Sequence, residues 1–284
     1  MSKLFAATDV VKTFTVERDG KARTINAVNH VSLSLEPGEI VGLVGESGSG
    51  KTTLARIMIG IEQATTGTVA YGGKPVETRA DWKALRREVQ YVFQDPFTAL
   101  CPTMRIGDAL AEPLAIHGIG QRSERPERVT RMLELVGLHP DVARRLPNQL
   151  SGGQRQRVNL ARALMLEPKI LICDEIVSGL DVSIQAQVLQ LLLDLQQRLA
   201  LSLIFISHDL RVVHYLCSRV VVMYLGEIVE QGPTKNVFDT PRHSYTKALL
   251  AAIPDHSLPP ENGSLTMNPS PTGSRASDDP FSSA

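Results

Sequence analysis

The sequence carries no surplus of either charge: 30 Lys and Arg stand against 30 Asp and Glu. That balance removes a broad electrostatic case for nucleic acid as the main partner. Cysteine is also sparse. Cys101, Cys173 and Cys217 leave one thiol unpaired in any disulfide scheme, and their spacing matches no metal-ligand pair. Their apolar neighbours in sequence predict reduced core thiols in a reducing compartment. Long apolar runs are missing as well, since Leu189–Ile206, the densest window, is broken by Asp194, Gln196, Gln197 and Arg198. No window approaches the roughly 18 uninterrupted apolar residues of a membrane helix. Met1–Val10 has no stretch of signal-peptide type, so none is expected.

What remains, in 284 residues of which 43% are hydrophobic, suits one large α/β domain with a small subdomain. Residues 1–44 read as short β segments, ending in the compact apolar run Ile40–Val44. Thr53–Ile61 reads as helix, and Thr68–Tyr71 and Val89–Phe93 as strands. Prolines then punctuate about residues 96–148, where Val129, Met132, Leu133 and Val136 share one helix face; this segment reads as an inserted helical subdomain. Ile170–Cys173, Leu203–Ile206 and Val220–Met223 read as buried strands. Between them, Asp181 or Ser183 could cap a helix with Val188, Leu191, Leu195 and Leu199 on its apolar face. Alternating strands and helices predict a mainly parallel sheet covered on both sides. Residues 255–284, with seven Ser and five Pro, read as a disordered tail.

The sharpest chemical signal is Gly45-Glu46-Ser47-Gly48-Ser49-Gly50-Lys51-Thr52, followed by Thr53, between a strand and a helix. A G-x4-G-K-[ST] match arises by chance in roughly one chain in a hundred of this length, but seldom in that context. Glycines let backbone N–H groups curl around phosphate oxygens, Lys51 supplies a point charge, and the Thr52 hydroxyl suits Mg²⁺. Ile170–Cys173 then ends in Asp174 and Glu175, a candidate metal ligand and a candidate base. Ser151-Gly152-Gly153-Gln154 opens a helix; alone it is as well explained by an ordinary N-cap.

With Gln94 before Asp95-Pro96, Ser178-Gly179-Leu180-Asp181, and His208 before Asp209, these strings resemble the ABC-transporter ATPase family, in the family's order, over about residues 4–254. The resemblance implies an α/β P-loop NTPase core with a mainly parallel sheet, an N-terminal antiparallel β subdomain and an inserted α-helical subdomain. It implies ATP with Mg²⁺ at a head-to-tail pair of such chains, each P-loop facing the partner's Ser151–Gln154 segment. Glu175 would be the general base, His208 would contact the γ-phosphate, and Gln94 would sense Mg²⁺ and the attacking water. Thr52 and Asp174 would hold the metal, and Asp181 would communicate across the seam. Phe14 lies where the family often stacks an aromatic on adenine, with a core Phe as the alternative reading.

A narrower resemblance is to the oligopeptide/dipeptide importer branch, carried by Asp174–Ser183 and by Phe238–Leu250 with Ile253-Pro254. Ile176 and Ser244 depart from it by replacing the branch's usual prolines. No cysteine follows Cys217, so no iron–sulfur cluster is expected. This resemblance implies two transmembrane permease subunits, received in part by Pro96–Leu114, whose apolar residues could equally be internal packing. It also implies a second ATPase that is a paralogue, and an extracytoplasmic solute-binding protein. The chain would sit peripherally on the cytoplasmic face of the bacterial inner membrane. Nickel, glutathione or opine-like cargo, or a soluble accessory role in carbon–phosphorus bond cleavage, are the competing readings.

Overall fold

The computed structural model describes residues 3–18, 21–95 and 99–253. Its centre is a six-stranded sheet of β3 (Ile40–Val44), β6 (Val89–Val92), β7 (Ile170–Asp174), β8 (Ser202–Ile206), β9 (Arg219–Tyr224) and β10 (Glu227–Pro233), in spatial order β10-β9-β3-β8-β7-β6. All neighbouring pairs are parallel except β10 with β9. Every residue of β3, β7 and β8 is buried. That pattern belongs to strands covered on both faces and explains their unbroken apolar runs.

The period-2 alternation of a strand divides these residues between two cores. Val41, Leu43, Ile170, Ile172, Ile204 and Ile206 face one cluster, shared with α1 (Lys51–Met58) and with the first two strands, β1 (Phe5–Arg18) and β2 (Lys21–Leu35). Ile40, Val44, Leu171, Cys173, Leu203 and Phe205 face the other, shared with helices α5 (Gly152–Leu164), α6 (Val182–Leu199) and α7 (Leu210–Leu216). A third cluster is built within α3 (Ile106–His117), α4 (Arg125–Leu135) and α5. It contains Val129, Leu133 and Val136 of the expected apolar face, with Met132 packed against it. Further α-helices among the described residues are α2 (Arg79–Glu88), α8 (Thr234–Asp239) and α9 (Ser244–Ala251).

Several expectations need correction. The short β segments of residues 1–44 are instead two strands of 14 and 15 residues, paired in an antiparallel sheet of order β2-β1-β4-β5; β4 is Thr66–Tyr71 and β5 is Lys74–Pro75. Register shifts interrupt the β1–β2 ladder between Ala7 and Thr13, where Asp9 and His30 both adopt positive φ, so the sequence alternation breaks although the pairing continues. The helix expected at Thr53 already begins at Lys51 and ends at Met58. Asp181 is the N-cap of α6 without a side-chain capping bond; Leu189 and Leu192 are buried with Val188 and Leu195, while Leu199 is 43% exposed. Cys101 is exposed and not a core thiol; only Cys173 and Cys217 are buried. Pro96, Pro254 and the tail 255–284 lie outside the described residues.

Candidate nucleotide site

The carboxyl ends of parallel strands are where α/β sheets collect ligands, and four adjacent strands deliver the candidate residues there. β3 runs into the Gly45–Thr52 loop, β6 leads to Gln94, β7 ends at Asp174, and β8 leads to His208. The loop's glycines are conformational necessities. Gly45 has φ 146° and a Cβ there would lie 2.1 Å from the Met223 carbonyl oxygen; Gly50 has φ 102° and a Cβ would lie 2.2 Å from that of Ala27. Gly50 is also the N-cap of α1, with no side-chain bond to the first-turn N–H groups, so those of Lys51, Thr52 and Thr53 are available to an anion.

Lys51 is 5% exposed, and its Nζ donates to the Gly45 carbonyl at 2.8 Å, the Glu46 carbonyl at 2.7 Å and Ser49 Oγ at 3.2 Å. Burial pulls its pKa below the ordinary lysine value, against the attraction of Glu175, Asp174 and Glu46. The Thr52 hydroxyl donates to Asp174 Oδ1 at 3.3 Å, and the Tyr91 hydroxyl donates to Oδ2 of the same carboxylate. Burial, then the Asp174 charge, push the Tyr91 pKa far up, so the phenol remains a donor. A hydroxyl and an oriented carboxylate side by side form a hard oxygen donor pair that fits Mg²⁺.

Glu175 has φ 48°, a left-handed conformation costing a non-glycine residue about 1–3 kcal/mol. Its N–H donates to the Ile206 carbonyl at 2.9 Å, which ties the turn to the end of β8. Both carboxylate oxygens are engaged: Gln94 Nε2 donates to Oε2 at 2.8 Å, and His208 Nδ1 lies 3.3 Å from Oε1. Three residues separated widely in sequence thus meet at one carboxylate. The neighbouring Ile176, in place of proline, is 1% exposed and packs in the main core.

Ser151–Gln154 form a second constellation. Ser151 Oγ accepts from the Gln154 N–H at 3.3 Å and Gln154 Oε1 accepts from the Ser151 N–H at 3.1 Å, a reciprocal capping box. A Cβ on Gly152 would sit 3.4 Å from Leu180, and one on Gly153 2.7 Å from Ile184, so this segment abuts the turn carrying Asp181. Among the described residues its side-chain hydrogen bonds are internal and none reaches the 45–52 loop. Phe14 is 38% exposed, which excludes the core alternative, and Lys12 Nζ lies 4.8 Å from its ring centroid.

Two residues of this region carry no role at the nucleotide site that the sequence signals, although Tyr245 lies within the Phe238–Leu250 string. Tyr91 sits within a strand whose apolar run explained it fully, and Tyr245 accepts from the Glu46 N–H at 2.8 Å across 199 positions.

A buried lysine in a glycine-rich loop, a hydroxyl–carboxylate pair and a glutamate held by two side chains at the end of a parallel sheet form a site of the kind that binds a nucleoside triphosphate. Comparison with known proteins agrees: the ABC transporter profile matches residues 28–178 and the oligopeptide/dipeptide transporter C-terminal region profile matches 229–273. The chain belongs to the ABC transporter family, as an ATP-binding, ATP-hydrolysing cassette.

Among its relatives, a Brucella abortus (strain 2308) protein provisionally named as a peptide import ATP-binding protein is 50% identical over 87% of this chain and 75% of its own length. A Brucella ovis protein with the same provisional name is 51% identical over 82% of this chain and 74% of its own. Among solved structures, cbiO1 from Clostridium perfringens, part of the ABC transporter complex cbiONQ, aligns with TM-score 0.72 and 27% identity over 84% of this chain and 92% of that one. The dimeric cassette MJ0796 bound to ADP and Pi aligns with TM-score 0.72 and 28% identity, over 81% and 98%. Among the described residues no helix is long and apolar enough to cross a membrane.

Proposed function

We propose that this chain powers uptake of oligopeptides or dipeptides through two transmembrane permease subunits, working with a second, paralogous ATPase and an extracytoplasmic solute-binding protein. Its place would be peripheral, on the cytoplasmic face of the bacterial inner membrane. The observation that carries the hydrolytic part is the Glu175 carboxylate held from both sides by Gln94 and His208. The peptide assignment is supported by the match at residues 229–273 and by the relatives' names.

In this reading the 45–53 loop binds the triphosphate, with the Lys51 ammonium and the loop N–H groups balancing its charge. The three acceptors Lys51 now uses within the loop would be exchanged for phosphate oxygens. Glu175 accepts a proton from the attacking water. Gln94 keeps the carboxylate aimed, and His208 lies on its other oxygen, within reach of the same region. Thr52 and Asp174 would hold Mg²⁺, with Gln94 near it; when bound, the ion neutralises charge building on the phosphate oxygens. Ser151–Gln154 and Asp181 would complete the site of a facing chain, and Phe14, exposed with Lys12 Nζ against its ring, would stack on adenine. The segment from about 96 to 148 would act as a helical subdomain contacting the permeases, and 1–254 as one nucleotide-binding domain.

The test is reconstitution with the permeases and solute-binding protein of a peptide importer from the same organism. ATP turnover should rise when the binding protein is loaded with peptide. Stimulation by nickel, glutathione or an opine and not by peptide would reassign the cargo, and copurification with soluble lyase subunits would remove transport altogether.

A further inference from the structure

Tyr245 ties the C-terminal region matched at 229–273 to the nucleotide loop. Tyr245, in the first turn of α9, receives the Glu46 N–H at 2.8 Å, and its ring stacks on Tyr224 with centroids 4.1 Å apart and planes 29° apart. Among the described residues it is the one side chain from outside the 45–52 loop seen to hydrogen-bond that loop's backbone. Burial raises the phenol's pKa, so the hydroxyl stays protonated at working pH.

The position of Tyr245 is itself set. Glu230, on β10, accepts the Arg242 N–H on one carboxylate oxygen at 2.8 Å and the His243 N–H on the other at 3.0 Å. His243 is the N-cap of α9, and its Nδ1 accepts the Tyr245 N–H at 3.2 Å. Ser244 occupies the first helical position, where proline is tolerated because that N–H lacks a partner anyway. Serine in its place therefore leaves the helix start intact.

We propose that Tyr245 is a positioning residue for ATP binding: through Glu46 it holds the glycine-rich loop in its phosphate-ready shape, and Glu230 holds Tyr245. A loop with three glycines at positive φ has much freedom to lose. Where only a fraction of molecules carries the competent shape, apparent affinity falls by that fraction. Such a loss weakens ground state and transition state alike, so it falls on KM and spares kcat. The inference rests on the P-loop reading of the site.

The experiment compares full-length wild type with Tyr245→Phe, Glu230→Ala, the double variant and Lys51→Ala, by ATP equilibrium titration, steady-state hydrolysis and thermal melting. Tyr245→Phe keeps the ring against Tyr224 and removes only the hydroxyl. It should raise Kd and KM for ATP in parallel by about two- to tenfold, with kcat and melting temperature unchanged. Glu230→Ala should do the same, and the double variant should lose less than the product of the two single losses. Lys51→Ala should lose binding outright; if it binds normally, the nucleotide site itself is misassigned. If Lys51→Ala loses binding but Tyr245→Phe keeps wild-type Kd, or loses kcat with KM unchanged, the positioning role is overturned.

Discussion

The Tyr91 hydroxyl donates to one oxygen of the Asp174 carboxylate, leaving the other oxygen to Thr52. Asp174 is 4% exposed, so its carboxylate has little water to orient it and depends on these two donors. With Asp174 holding Mg²⁺ as proposed, Tyr91 would fix the plane of that carboxylate. Tyr91→Phe should raise the Mg²⁺ concentration needed for half-maximal ATPase activity by about 10–100-fold. It should also destabilise the fold by about 1–3 kcal/mol, by leaving a buried oxygen without its donor. Mg²⁺ titration at saturating ATP and thermal melting measure the two effects.

Glu175→Gln keeps the size and one acceptor oxygen of the side chain but removes its proton-accepting charge. Gln94 and His208 can still contact the amide, so ATP affinity should hold while the hydrolytic rate falls about 10²–10⁴-fold. Single-turnover hydrolysis beside equilibrium ATP binding separates these outcomes. Unchanged turnover would take the proton-acceptor role away from Glu175.

The thiols should divide by exposure. Cys101 is exposed, and its hydrogen bond with the Thr103 hydroxyl holds its pKa below the ordinary value, enlarging its thiolate share. Burial pushes Cys173 up to about 12 and raises Cys217 as well. Only the thiolate alkylates, so native protein near pH 8 should take one maleimide rapidly and three only after unfolding, read by intact mass. The linkage sign follows. A thiol with a raised folded pKa favours the fold below its unfolded value of 9.0, and that support fades as pH climbs toward about 12. Melting temperature should therefore fall between pH 8 and pH 11.

The contiguous part of the site was legible because its chemistry needs neighbours in sequence: Gly45–Thr52 follow one another from loop into helix, and Asp174 ends a strand with Glu175 next after it. The sheet was legible for a related reason. Strands buried on both faces, such as β3, β7 and β8, are apolar throughout and stand out from their surroundings. Contacts made across the fold were not. Tyr91 meets Asp174 across 83 positions and Tyr245 meets Glu46 across 199; Tyr245 lies in a string that pointed to the importer branch, but nothing local links either tyrosine to the nucleotide loop. The length of β1 and β2 was hidden by the bulge around Asp9 and His30, which shifts the alternation out of phase. Cys101 misled because Leu100, its apolar neighbour in sequence, is 2% exposed while Cys101 itself turns outward.

The central claim is that the Ser151–Gln154 segment serves the P-loop of a facing chain and not its own. ATP turnover per chain, followed as protein concentration rises and with the proposed partner ATPase added, tests it most directly, with Ser151→Arg beside wild type. The account predicts turnover that climbs with association and is abolished by Ser151→Arg while ATP still binds. Full turnover by a dilute monomer, indifferent to Ser151→Arg, would contradict it.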